Sequence, residues 1–489
     1  MKNTHRRLYA FSAAILVTVA SLGILTAPAV AQVAHLQGEM VGEVSQTTAI
    51  LQSRLTATSV GDDGDLPARP GWARFELADN DQFDSSCTTD WMQATVDGDG
   101  IVKCKVSGLK AATDYYYRLV SGESKTVTIP GPVRSFRTLP ATDALARQSF
   151  IVVTGMYYHG FHHGPKKYQG KDKALGYPAL VTIRNLKPDF FIGTGDNVYY
   201  DGPRETAATN VASMRKKWHE QFLQPRFVDL FAKVPTYWEK DDHDFRYDDS
   251  DNTSDKLPTV ADGLRIFREQ MPVVDPSNPD AVTYRTFRAG RLLQIWLPEN
   301  RDYRSPNLAP DDARKSIWGV KQREWLKRTL LESDAPFRII VSPTPMIGPD
   351  DLRKKDNHCD IGGFRHERDE FFRWARSHGL HEKGLYFVCG DRHWQYHSVD
   401  PSGFEEFSSG ALVDANTRLG RSPGDPKGTD PDALIRQPYT QRYRVGGFLH
   451  VVVGPSEDGR TATLDFSFTA RTGKVWHRER KVRRLESPD

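Results

Sequence analysis

The sequence predicts an α/β sandwich preceded by a β-rich module, and three observations predict it. From about residue 148, short apolar runs alternate with longer amphipathic segments, the pattern of strands crossing over through helices. Residues 33–138 instead carry alternating apolar and polar positions broken by Gly and Asp turns. Three of the apolar runs stop abruptly at a carboxylate, an imidazole or a phenol, as strands of an open sheet do where they present a site.

The N-terminal module opens on the alternating stretch 42–52, with turns at 61–65 and 97–100. The segment 109–119 is a turn leading into the aromatic run Tyr115, Tyr116, Tyr117. It is similar to the loop-to-strand corner of fibronectin type III-like sandwiches, where a tyrosine hydroxyl meets a backbone partner. After it, strands are expected at 150–153, 190–192, 236–238, 292–297, 339–341 and 385–388, and helices near 173–185, 207–223, 318–331 and 366–377. In the third of these helices Trp318, Gln322, Trp325, Leu326 and Leu330 share one face, so that face is core. Strands return at 447–453 and 462–468, expected to close a second sheet.

The chemistry sits where the apolar runs end. The first runs into Asp196, Asn197, Val198, Tyr199, Tyr200 and Asp201. The second, ending at Trp238, runs into Asp241, Asp242, His243 and Asp244. The third runs into Asp391, Arg392 and His393. Strand ends sharing one rim would bring Asp196, Asp242, His243, Asp391 and His393 together, an O and N donor set suited to hard or borderline metals.

The totals set limits. A chain of 489 residues buries a full core and is long enough for two domains. A formal charge of +3 with interspersed charges does not point to a nucleic-acid partner. Residues 1–31 read as an export signal: Lys2, Arg6 and Arg7, an apolar stretch 8–25, and Ala29-Val30-Ala31 as cleavage site. A periplasmic or extracellular protein is expected, by a Sec or twin-arginine route, with no membrane span once the signal is removed. In an oxidising compartment the four cysteines suggest two disulfides, Cys87–Cys104 and Cys359–Cys389, one of three possible connectivities. No C-x-x-C occurs, which argues against a thiolate zinc site.

With those residues in view, the chain resembles the alkaline phosphatase D (PhoD-type) family of calcineurin-like metallophosphoesterases over most of its length. The motifs are Gly195-Asp196-Asn197-Val198-Tyr199, Trp238 shortly before Asp241-Asp242-His243, Gly390-Asp391-Arg392-His393, and Asn300-Arg301-Asp302-Tyr303-Arg304. The resemblance implies a four-layer αββα sandwich over 148–485, preceded by a small all-β fibronectin III-like domain over 33–140. It implies Asp196 as bridging ligand and Tyr199 as a phenolate ligand to iron. Asp242, Asp248, Asp391 and His393 are the further ligand positions, with calcium beside iron. His243 falls where the family places a catalytic or ligating histidine. One position departs. Relatives follow the first catalytic strand with Ser-Cys, and that Cys binds iron; this chain has Thr154-Gly155-Met156, with His159, His162 and His163 as possible substitutes.

The implied reaction is hydrolysis of phosphate mono- or diesters by a metal-bound hydroxide at a site of two or more metals. His243 or His393 would protonate the leaving oxygen. Arg301 is either a phosphate clamp or half of a structural ion pair. Arg392, on an extended segment, would point away from Asp391 and His393. The competing readings are a metal-dependent hydrolase of a sulfate ester or phospholipid, and a secreted binding protein that has lost activity. Substrate preference and oligomeric state are left open.

Overall fold

The computed structural model describes residues 33–485; the expected export signal lies outside them. Three sheets organise the chain. The first has nine strands in the order Val475–Arg484, Thr461–Ala470, Gly447–Pro455, Gln148–Val153, Phe190–Thr194, Thr236–Glu239, Glu39–Gly42, Thr48–Arg54, Ile101–Ser107. The second has seven, in the order Arg285–Ala289, Leu293–Leu297, Phe337–Ser342, Leu385–Cys389, Glu405–Ser409, Gln395–Val399, Arg436–Thr440. A third, six-stranded sheet is built on Gly71–Ala78 and Asp114–Gly122.

Strand periodicity explains the layers. In Gln148–Val153, Phe150 and Val152 face one way and Ile151 and Val153 the other. Phe150, Val152, Phe190 and Ile192 pack between the sheets against Ile295, Ile339, Val341, Val388 and Phe407. Ile151, Val153, Phe191 and Trp238 pack outward on helices Pro178–Leu186, Val211–Phe222 and Pro225–Phe231. Trp296, Ile340 and Phe387 pack on helices Gly319–Glu332 and Arg365–Ser377 across the other outer face. Two sheets between two helical layers give the αββα sandwich. Their central strands are buried on both faces, so they read as unbroken apolar runs.

Several expectations are corrected. The C-terminal strands do not close the second sheet: Gly447–Pro455 pairs antiparallel with Gln148–Val153 and extends the first. Their alternation reports one face turned to the core, which holds for either sheet. The helix near 173–185 begins only at Pro178, after Gly176 turns the chain at φ 93°. The N-terminal strands Glu39–Gly42, Thr48–Arg54 and Ile101–Ser107 join the sheet of the α/β layer, because Gly42 pairs in parallel with Thr236. Its tyrosine corner is present: the Lys110 N–H donates to the Tyr115 hydroxyl at 2.9 Å. All four cysteines are free thiols. Cys87 and Cys104 lie on strands of different sheets, while Cys359 Sγ meets Asp360 at 3.5 Å and Cys389 Sγ meets the Tyr396 hydroxyl at 3.4 Å.

Candidate metal centre

Phe190–Thr194 and Leu385–Cys389 belong to different sheets, yet both end in a glycine followed by an aspartate. The expected single rim is therefore a seam between two facing sheets. Asp196 and Asp391 both take a left-handed backbone with φ of 54°, which costs a residue with a Cβ about 1–2 kcal/mol. The preceding glycines allow close approach. A Cβ on Gly195 would lie 2.4 Å from the Asp241 backbone nitrogen, and one on Gly390 2.3 Å from Thr194 Oγ1. The first contact locks the Asp196 turn to the Asp241 turn, and the second locks the two sheets together.

Asp196, Tyr199 and His393 meet directly. Asp196 Oδ2 accepts from His393 Nε2 at 2.7 Å and from the Tyr199 hydroxyl at 2.7 Å, while Tyr199 and His393 Nε2 are 3.4 Å apart. Arg418 approaches His393 Nδ1 at 3.0 Å, so Nδ1 accepts and Nε2 carries the ring proton. Burial and the Arg418 charge together pull His393 down to about 4, against the pull of Asp196. Burial pushes Asp196 up, but His243 and His393 outweigh it and hold the carboxyl below its ordinary value.

His243 and Asp242 start the short helix Asp242–Phe245. His243 Nδ1 is 2.7 Å from Asp201 Oδ1, and its ring lies 4.3 Å from that of Tyr199. Burial alone would lower this imidazole; the Asp242, Asp196 and Asp201 carboxylates hold it well above its ordinary value. Donor atoms of Asp196, Asp242 and His243 all lie within 4.8 Å of one another. Asp248, expected as a ligand, is the outlying member, with its side chain 63 % exposed and Oδ1 3.7 Å from His243 Nε2. It clusters with Asp242 and Asp249.

On the other side of the seam, Asp391 Oδ2 accepts from Asn357 Nδ2 at 2.8 Å and from Arg392, whose guanidinium also grips Asp350. Arg392 therefore bends back onto its neighbour instead of pointing away. The left-handed turn at Asp391 breaks the extended geometry that the expectation assumed. Arg301 is corrected too. It is fully buried, donates Nε to Asp241 at 2.9 Å with Nη2 on the same oxygen, and gives Nη1 to the Ser250 carbonyl at 2.8 Å. It is the structural ion pair, with no face left for a phosphate.

His159, His162 and His163 share no three-donor cluster with Asp196, Asp242 or His243 among the described residues. His162 Nε2 lies 3.1 Å from Gln224 Oε1. His159 and His163 line a cavity of about 340 Å³ beside Tyr199, together with Lys216 and Lys217. Met156, at the position where the resemblance leads one to expect a Cys, is buried and donates its N–H to the Asp196 carbonyl at 2.9 Å.

Sequence reasoning missed Asp244, Asn357 as a partner of Asp391, Asn416 and Arg418. Asp244 ties the first two turns: Oδ1 accepts from the Asp241 N–H at 2.7 Å, and Oδ2 from Asn197 Nδ2 at 2.6 Å. Burial beside Asp196 raises its carboxyl to about 7. Asn416 Nδ2 donates to the Tyr199 hydroxyl at 2.5 Å. Asp244 stood inside the acidic motif; Asn416 ends the single 3-10 turn Asp414–Asn416 and Arg418 follows it in irregular chain, with no local sequence pattern to mark either.

The donor set fits cations. Asp196 Oδ1 and Asp241 Oδ2 are buried with no hydrogen-bond partner, and unpaired buried carboxylate oxygens are costly unless a positive charge faces them. A family model described as PhoD-like phosphatase matches residues 163–442, and one described as PhoD-like phosphatase, N-terminal domain, matches 24–140. The chain belongs to the PhoD-like phosphatase family. It is a phosphoester hydrolase of the metallophosphoesterase fold, and phosphatases of this fold use metal ions. The solved structure of PhoD is similar at 18 % identity, covering 94 % of this chain and 93 % of that one, with a TM-score of 0.70. Purple acid phosphatase PPD1 from yellow lupin (Lupinus luteus) seeds is similar at 12 % identity, covering 90 % and 73 %, with a TM-score of 0.59. These two likenesses concern the fold. A comparison with curated proteins finds no match. Among the described residues, no helix is long and apolar enough to cross a membrane.

Proposed function

We propose that this PhoD-like phosphatase is an exported, metal-dependent hydrolase of phosphate mono- or diesters, with its cations held by Asp196, Tyr199, Asp242, Asp248, Asp391 and His393. The observation that carries this reading is the convergence of Asp196, Asp242 and His243 donors within 4.8 Å, with Asp196 Oδ1 buried and unpartnered. Oxygen-rich donors suit calcium, and the Tyr199 phenol beside Asp196 suits iron. When bound, the cations supply a hydroxide near neutral pH and positive charge for the phosphoryl oxygens.

The chain's own groups do the rest. His243 keeps its proton because carboxylates surround it, and Asp201 fixes Nδ1–H so that Nε2 faces the site. Nε2–H is the proton donor to the leaving oxygen. Before a cation binds, neutral His393 holds the Asp196 carboxylate through Nε2 and meets Arg418 through Nδ1; as a ligand it would offer Nε2 in place of that hydrogen bond. Asn357 and Arg392 hold Asp391. The cavity beside Tyr199, with Lys216 and Lys217, receives the organic part of the ester.

The test uses the purified full chain on a chromogenic phosphate monoester and diester. Chelation is expected to stop hydrolysis, and added calcium or iron to restore it. Asp196→Asn and Asp391→Asn are expected to be inactive with unchanged circular dichroism. Full activity in a folded Asp196→Asn variant refutes the assignment.

A further inference from the structure

A second group of potential donors lies away from this seam. His397 sits on Gln395–Val399 in the seven-stranded sheet; His477 and Glu479 sit on Val475–Arg484, the edge of the nine-stranded sheet. His477 and Glu479 are two apart on an extended strand, so both side chains point to the same face, toward the other sheet. One donor atom from each of the three residues lies within 4.8 Å of the others. We propose that His397, His477 and Glu479 form a second metal site, for a borderline divalent ion of the zinc class, that clips one sheet to the other.

Three observations support the site. His397 is only 2 % exposed, and its Nδ1 has no hydrogen-bond partner. Its other nitrogen, Nε2, is 2.7 Å from Glu405 Oε2. A carboxylate there accepts a hydrogen bond from Nε2–H and so leaves the Nδ1 lone pair free, the arrangement that orients metal-bound histidines. His477 Nε2 is likewise buried and unpartnered, 4.0 Å from Glu479 Oε2. The His477 ring is held flat on Tyr439 at 5.0 Å.

Two imidazoles and one carboxylate select zinc-class ions over calcium, which prefers oxygen alone. Zinc bonds of about 2.0–2.2 Å require the donors to draw together by roughly 1 Å. Lys481 is a cation already beside the group: Nζ is 2.8 Å from Glu479 Oε1 and 2.7 Å from Glu405, leaving Glu479 Oε2 for the ion. His477 and Glu479 side chains are each 28 % exposed, which gives an ion a path in. Inward charges on an edge strand also discourage pairing with other chains. That role needs no open imidazole nitrogens, so metal binding separates the two explanations.

The experiment uses the chelator-stripped full chain carrying Asp196→Asn, which weakens the seam site, titrated with zinc and counted by elemental analysis after dialysis. His477→Gln and Glu479→Gln are made in that background, with circular dichroism confirming the fold. The expected result is one zinc equivalent lost in either variant, and a cobalt(II) absorption band present in the parent and absent from both. In an otherwise wild-type chain, the same two substitutions are expected to leave ester hydrolysis unchanged. Equal zinc binding and identical cobalt spectra in parent and folded variants overturn the proposal.

Discussion

The two sides of the seam handle negative charge differently. On the first-sheet side, Asp196 and Asp242 face imidazoles, and Asp196 keeps an unpartnered oxygen. On the second-sheet side, Asp391 and Asp350 are gripped by Arg392. The contrast teaches where a mobile cation belongs. Where the chain supplies guanidinium or ammonium, the carboxylates are already balanced and rigid; where it supplies only imidazole and phenol, the balance is incomplete.

Substitutions that break this contrast rank from large to small. Asp196→Asn removes charge on the unbalanced side and is expected to lower kcat/KM for a phosphate ester by roughly a thousandfold or more, several kcal/mol of transition-state stabilisation. Arg301→Met leaves Asp241 buried without its partner and is expected to cost about 3–5 kcal/mol of stability by urea melts. The double variant Arg301→Met with Asp241→Asn is expected to recover much of that loss, because no unpaired charge remains.

These two cases also show what was legible in the sequence. Asp196, Asp242 and Asp391 were readable because each directly follows an apolar run long enough to be a buried strand. The pairing of Arg301 with Asp241 was not, since the two are far apart in the chain and meet only through the fold. The sheet joined by 447–455 was illegible for a related reason: alternation says which face is buried, not against which neighbour. Arg418 comes from a loop whose course is set by tertiary packing. The cysteines show the limit of compartment arguments, because an oxidising setting does not bring thiols on different sheets together.

Two smaller effects sharpen the comparison. Arg418 is exposed except where it meets His393. Arg418→Ala is expected to raise KM several-fold with little change in stability, since exposed contacts contribute about 0–1 kcal/mol. Remote from the acidic centre, His450 on Gly447–Pro455 shows the same burial acting on a lone imidazole. Burial, then Arg147 and Arg478, lower it to about 4, and Ser149 Oγ lies 2.8 Å from its Nε2. A folded value below the unfolded one means the unfolded chain binds more protons between about pH 4 and 6.5. The stability it contributes is therefore complete above pH 6.5 and is lost as pH falls toward 4. His450→Gln is expected to flatten the acid side of the unfolding free energy against pH, measured by urea melts, by about 1–2 kcal/mol.

The most direct measurement is a crystal structure of the active, metal-loaded chain with anomalous scattering collected at the absorption edge of the bound metal. The account predicts a peak about 2.0–2.6 Å from Asp196 Oδ1, shared with Asp242. A fully active crystal in which no metal touches Asp196 would contradict it.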